Sequence, residues 1–165
     1  MIIALAGFMG SGKSTVGAVV ADALGCPFLD LDDLIVKKAG KSIPDIFAQD
    51  GEPAFRQLEA ALLRQTVNKY AENTVVLSLG GGTLTTPTSA SLVHDKTVCI
   101  YLRASLETLI QRLEGQTAGR PLADEVMASR LAERAPVYEE TAHVIIDTDG
   151  LAPDEVADEI IITAL

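Results

Sequence analysis

The residues Gly7-Phe8-Met9-Gly10-Ser11-Gly12-Lys13-Ser14 satisfy the pattern G-x-x-x-x-G-K-[ST], and they constrain the fold of this chain more than any other feature. The pattern requires a strand before it and a helix after it. The apolar run IIALAG precedes it, and the stripe Val16, Val19, Val20 and Ala23 follows at helical spacing. Average composition gives such a match a chance occurrence of roughly half a percent in a chain of this length, before that context is demanded. Glycines let the backbone turn so that successive N–H groups point at phosphate oxygens, and the start of the helix adds its partial positive charge. Gly10, Ser11 and Gly12 supply this backbone. Lys13 then reaches the β and γ phosphates of a nucleotide, and the Ser14 hydroxyl is placed to ligate Mg²⁺. Thr15 is one step further round the helix, a structural position bordering the nucleotide.

Switches, motors and kinases all use such a loop. A guanine-specific GTPase also needs an N-K-x-D segment, and the candidate here, Asn68-Lys69-Tyr70-Ala71, lacks the carboxylate. The DTDG at 147–150 fits D-x-x-G but comes too late in the chain. With 165 residues there is no room for the additional elements of helicase or transporter ATPases. A small kinase using ATP is the favoured class, built as a single domain.

Five short runs read as strands: 2–7, 27–31, 74–79, 97–102 and 143–147. Helical stretches separate them, which implies an α/β fold with a five-stranded parallel sheet covered on both faces, three layers in all. Ser42 is positioned to cap a short helix through IPDIFAQ, and Pro53 suits the first turn of the next helix, whose apolar stripe is Phe55, Leu58, Leu62 and Val67. A last helix begins near Pro153.

Thirteen basic against 23 acidic residues give a net charge of −10, an electrostatic barrier against nucleic acid. The apolar residues fall in short runs, so the chain reads as soluble rather than membrane-bound. MIIALAG lacks the basic start of a leader and reads as a buried strand. Cys26 and Cys99 have no metal spacing and fit two reduced thiols in the cytoplasm. A monomer is expected, since no apolar stripe stands unpaired. His94 is expected on the surface near a helix end, and His143 beside a strand.

In an open parallel sheet, ligands meet the carboxyl ends of the strands. The second strand runs into Asp30-Leu31-Asp32-Asp33, and a two-residue period would put Asp30 and Asp32 on one side. The competing reading has Asp32 or Asp33 capping the helix DLIVKKA. Beside a phosphate loop, the division of labour is Asp30 near Mg²⁺ and Asp32 on an acceptor hydroxyl as its orienter or base. The third strand ends in Gly80-Gly81-Gly82, either a plain loop or a place where a ligand approaches backbone. Arg56, Arg120 and Arg134 fall in segments that should ring the same crevice. Guanidinium groups grip carboxylates and phosphates at two points, and Glu59, one turn after Arg56, is placed to hold that side chain. Residues 114–123 contain two Gly and one Pro and are either a surface loop or a mobile lid.

The ordered set GFMGSGKST, FLDLD, SIPDIFAQDGEPAFRQLE, LSLGGG, GRPL and ERAPVY resembles the shikimate kinases over nearly the whole chain. That resemblance implies a nucleoside-monophosphate-kinase-like fold, with transfer of the γ-phosphoryl group of ATP to the 3-hydroxyl of shikimate. It further implies that Asp32 binds the ring hydroxyls and assists proton removal. Arg56 and Arg134 would hold the substrate carboxylate, and Gly81 would present backbone to the ring. Arg120 would reach the phosphates from the lid, and Arg112 would lie beside adenine. The segment IDTDGLAP lacks the basic residues that some members place there. The rivals are another small-molecule kinase of the same fold, such as a gluconate kinase, or a nucleotide-responsive binding protein without turnover.

Overall fold

The computed structural model describes residues 1–116 and 124–165. Arg120, and the lid expected at 114–123 apart from its first residues, therefore lie outside the described residues. In chain order the elements are β1 (Ile2–Ala6), α1 (Lys13–Leu24), β2 (Phe28–Asp30), α2 (Leu31–Ala39), α3 (Ile43–Asp50), α4 (Glu52–Lys69) and β3 (Val75–Ser78). A short 3₁₀ turn (Thr83–Thr85) follows, then α5 (Pro87–Lys96), β4 (Val98–Arg103), α6 (Leu106–Gln116), α7 (Asp124–Thr141), β5 (Val144–Asp147) and α8 (Pro153–Ala164).

All strand pairs are parallel, in the order β2-β3-β1-β4-β5. The central strands β1, β3 and β4 are buried on both sides because both sides are covered, while Ile145 of the edge strand β5 is exposed. Ile2, Ala4 and Ala6 of β1 pack with Val75, Leu77, Cys99 and Tyr101 under helices α2, α4, α5 and α7. Their alternates Ile3 and Leu5, with Val76, Ile100 and Leu102, pack under α1 and α8. The strand period of two thus divides one continuous sheet between two cores.

The α1 stripe departs from expectation. Val16, Gly17, Val20 and Ala21 are buried, whereas Ala23 is exposed. The absence of a side chain at Gly17 lets the Phe28 ring of β2 lie against the helix. The other helix signals act locally as the residues suggest. Ser42 Oγ accepts from Asp45 N at 3.2 Å at the start of α3, and Pro53 occupies the first turn of α4. His94 lies in the last turn of α5 and His143 precedes β5; both are exposed, and their rings stack with centroids 4.6 Å apart.

Candidate active site

The carboxyl ends of β1, β2 and β3 open into a cleft of ≈ 310 Å³. Its nucleotide side is the loop between β1 and α1. Gly12 caps α1 at φ 93°, a left-handed conformation that a side chain would strain. No side chain caps that helix and its first turn holds no acidic residue, so its free N–H groups and partial positive charge face the cleft. Lys13 Nζ donates to Gly7 O at 2.7 Å and Phe8 O at 3.1 Å. Burial pushes its pKa down to about 8 although Asp32 and Asp30 pull it up, and the Arg134 cation lowers it further. Lys13 therefore feels both the carboxylates of β2–α2 and an arginine of α7, elements about a hundred residues apart.

Ser14 Oγ donates to Asp30 Oδ2 at 2.9 Å. Neighbouring ligands of an octahedral Mg²⁺ with bonds of 2.0–2.1 Å stand about 2.9 Å apart, so this hydroxyl and carboxylate suit the ion. Among the described residues no group of three His, Cys, Asp or Glu could hold a metal. A few protein oxygens, with phosphate and water completing the shell, is how Mg²⁺ binds in nucleotide sites.

The two aspartates come together for a reason other than strand alternation. β2 ends at Asp30, which caps α2: its Oδ1 accepts from Asp32 N at 2.9 Å. Asp32 lies in the first helical turn, not on a strand, and the capping residue is Asp30 rather than Asp32 or Asp33. Both still line the cleft, because a cap and the residue two further on share the helix end. Burial raises the Asp32 pKa first, and the charges of Asp30 and Glu59 add to it. The shift makes Asp32 a better proton acceptor near neutrality than an ordinary carboxylate.

Gly80 and Gly81 form the floor opposite α1. Arg56 and Arg134 press on this turn from two helices. A methyl group on Gly82 would run into the Arg56 guanidinium, and one on Gly81 would stand 3.3 Å from Arg134 Nη1. Arg56 Nη1 donates to Glu59 Oε1 at 2.8 Å, and Glu59 Oε2 accepts from Thr83 Oγ1 at 2.9 Å. Glu59 is 1% exposed, so it holds Arg56 and ties α4 to the turn after β3. Asp32, Arg134 and Arg56 thus stand against Gly80, Gly81 and Gly82 in turn, and of these Asp32, Gly80 and Gly81 line the cleft.

Arg112 of α6 sits on the other side of the phosphate loop. Its Nη1 donates to Gly10 O, Ser11 O and Thr148 Oγ1, each at 3.3 Å, and its Nη2 to Thr148 O at 3.1 Å. With Gly12, Thr15, Leu151, Pro153 and Val156 it lines a second recess of ≈ 220 Å³. Thr83 and Tyr138 are contributors that sequence reasoning missed. Tyr138 stood in the quoted ERAPVY segment, but its apolar ring gave no sign of a polar task.

A parallel sheet that delivers a phosphate loop from its first strand, with carboxylates across the same cleft and arginines against its glycine turn, defines a small-molecule kinase of the P-loop class. The chain belongs to the shikimate kinase family, whose model matches residues 9–164. A shikimate kinase of Enterococcus faecalis is 42% identical over 164 residues, covering 96% of this chain and 95% of its own. The structure of shikimate kinase from Acinetobacter baumannii in complex with shikimate superposes with a TM-score of 0.88 at 32% identity, covering 97% of this chain and 90% of that one. A gluconokinase from Sinorhizobium meliloti reaches a TM-score of 0.60 at 19% identity, covering 95% and 87%. That likeness extends to the fold alone.

Proposed function

We infer that this chain transfers the γ-phosphoryl group of ATP to the 3-hydroxyl of shikimate, giving ADP and shikimate 3-phosphate. The observation that carries the reading is that Asp32, Arg134 and Arg56 stand against Gly80, Gly81 and Gly82 in turn, and that Gly80 and Gly81 share a cleft with Lys13 and Asp32. A hydroxylated acid needs a carboxylate for its hydroxyls and guanidinium for its own carboxylate, within reach of the phosphate cradle. Membership of the family adds the identity of the acid.

In the step itself, Asp32 accepts the hydroxyl proton as the oxygen bonds to the γ phosphorus. The bond from that phosphorus to the bridging oxygen breaks, and ADP leaves with the electron pair. Arg56 and Arg134 fix the acid by its carboxylate, and the Gly81 backbone borders its ring. Lys13 and the loop amides stabilise charge on the phosphoryl oxygens, which is most of what phosphoryl transfer asks of a protein. Ser14 and Asp30 would hold Mg²⁺, which when bound neutralises phosphate charge. Gly10, Ser11, Gly12 and Thr15 border the nucleotide, and the recess beside Arg112 suits adenine. The resemblance assigns Arg120 to the phosphates, from a lid over about 114–123 of the same single domain.

No helix among the described residues is long and apolar enough to cross a membrane. We place the enzyme in the cytoplasm as a monomer, in keeping with its ATP co-substrate and its two free thiols. Its net charge of −10 opposes nucleic acid as a partner. Coupled ADP release with shikimate, gluconate or a nucleoside monophosphate as acceptor tests the reading. Turnover with shikimate alone supports it. Turnover with gluconate in its place, or shikimate binding without turnover, would overturn it.

A further inference from the structure

We propose that Tyr138 is a positioning residue for the acceptor end of the cleft, holding the Gly81 peptide and the Arg134 guanidinium in a single arrangement. The proposal rests on the reading that these two groups bind shikimate. Tyr138 lies on α7 one turn beyond Arg134 and is 1% exposed. Its ring packs on Tyr101 of β4, with centroids 5.0 Å apart, so the position of its oxygen is set by the sheet.

A phenol has one proton to give, and Tyr138 donates it to Gly81 O. Arg134 is a nearby cation that favours negative charge on the phenol oxygen, and its guanidinium faces the same Gly81 backbone. Burial pushes the Tyr138 pKa up to about 12, so the donor persists throughout the pH range in which a kinase works. Arg134 lies against the same backbone, and its guanidinium also stands 5.9 Å from the centre of the Phe8 ring in the phosphate loop.

A simpler role is available: a core tyrosine whose hydroxyl has merely found a partner. What sets Tyr138 apart is that its hydrogen-bond partner Gly81 and the cation beside it, Arg134, both belong to the acceptor side of the site. With only a core role, loss of the hydroxyl would lower the melting temperature and leave substrate constants alone. As a positioning residue, its loss would weaken shikimate binding selectively.

Tyr138→Phe keeps the ring and removes only the hydroxyl. In steady-state assays with ATP and shikimate, the expected result is a KM for shikimate raised about tenfold, from the lost hydrogen bond to the Gly81 carbonyl and the loosened Arg134 beside it. The KM for ATP should stay within about twofold of the parent, and kcat should fall far less than kcat/KM for shikimate. In an Arg134→Ala background, Tyr138→Phe should raise the shikimate KM by clearly less than tenfold, because part of its action passes through Arg134. An unaltered shikimate KM, with or without a lower melting temperature, overturns the proposal, as does full additivity in the double variant. If instead the parent protein releases no ADP with shikimate, the substrate reading is what fails.

Discussion

Arg56 donates to Glu59 at 2.8 Å across one turn of α4, and the accepting carboxylate is 1% exposed. The pair does two jobs. It aims a guanidinium at Gly82, and it neutralises a charge that could not otherwise be buried. Arg56→Ala should therefore cost about 3 kcal/mol of stability, because removing one partner strands the other, and it should also raise the shikimate KM. Arg134→Ala leaves no such buried charge and should raise the shikimate KM with little change in melting temperature. Thermal melts and initial rates on both variants separate the roles; equal melting temperatures would show that Glu59 does not depend on Arg56.

Asp32 is held in a setting that disfavours its charge, by burial first and then by Asp30 and Glu59. For a carboxylate whose folded pKa is raised, the native state binds more protons than the unfolded one between the two pKa values. Stability therefore falls as pH rises through that window, and the cost persists at neutrality. Asp32→Asn removes the charge and should melt about 2 to 4 °C higher at pH 7, with turnover reduced at least about a hundredfold. The difference in melting temperature should vanish below the ordinary carboxylate range. A variant that is less stable at pH 7 would refute the cost assigned to Asp32.

Lys13 titrates near 8 because burial outweighs its attraction to Asp32 and Asp30. The protonated form is the one that attracts phosphate, so kcat/KM for ATP, which reports the free enzyme, should fall as pH rises through about 8. Bound phosphates raise the same pKa, so kcat should hold to a higher pH. Lys13→Met should abolish the alkaline limb and lower phosphoryl transfer about a thousandfold. Near-normal kcat in that variant would overturn the cradle assignment.

Ser14 and Asp30 meet at 2.9 Å, but their removal should differ in consequence. Ser14→Ala should raise the Mg²⁺ concentration needed for half-maximal activity and leave the melting temperature nearly unaltered. Asp30→Ala should do the same and also lose the α2 cap, at about 1 kcal/mol. Mg²⁺ titrations of activity beside thermal melts give both readouts. Parent-like Mg²⁺ curves in both variants would remove these residues from the metal site.

The phosphate loop, the five strands, the Ser42 cap and the first-turn Pro53 were legible in the chain because each depends on neighbours a few residues away. Burial on both faces explains why the strands read as unbroken apolar runs, and a run of that kind is visible without knowing its partners. The α1 stripe was misplaced because spacing alone does not reveal that the Phe28 ring lies against Gly17. The pairing of Asp30 with Asp32 was anticipated on the wrong geometry. A strand period was assumed where the carboxylate of Asp30 had already turned the chain into a helix.

Spacing and composition alone determined that this chain makes a covered parallel sheet with a phosphate loop on its first strand, since local sterics and hydrogen bonding dictate both. Only the tertiary structure decided that Arg56 of α4 and Arg134 of α7 meet the glycine turn after β3, at Gly82 and Gly81, where Asp32 also stands against Gly80. It also showed that the Tyr138 hydroxyl donates to Gly81 O and that Glu59, already placed beside Arg56 by helical spacing, accepts from Thr83 of the turn after β3. Such residues meet through sheet register and helix packing, which sum over contacts between distant segments, and no short window of sequence carries that sum.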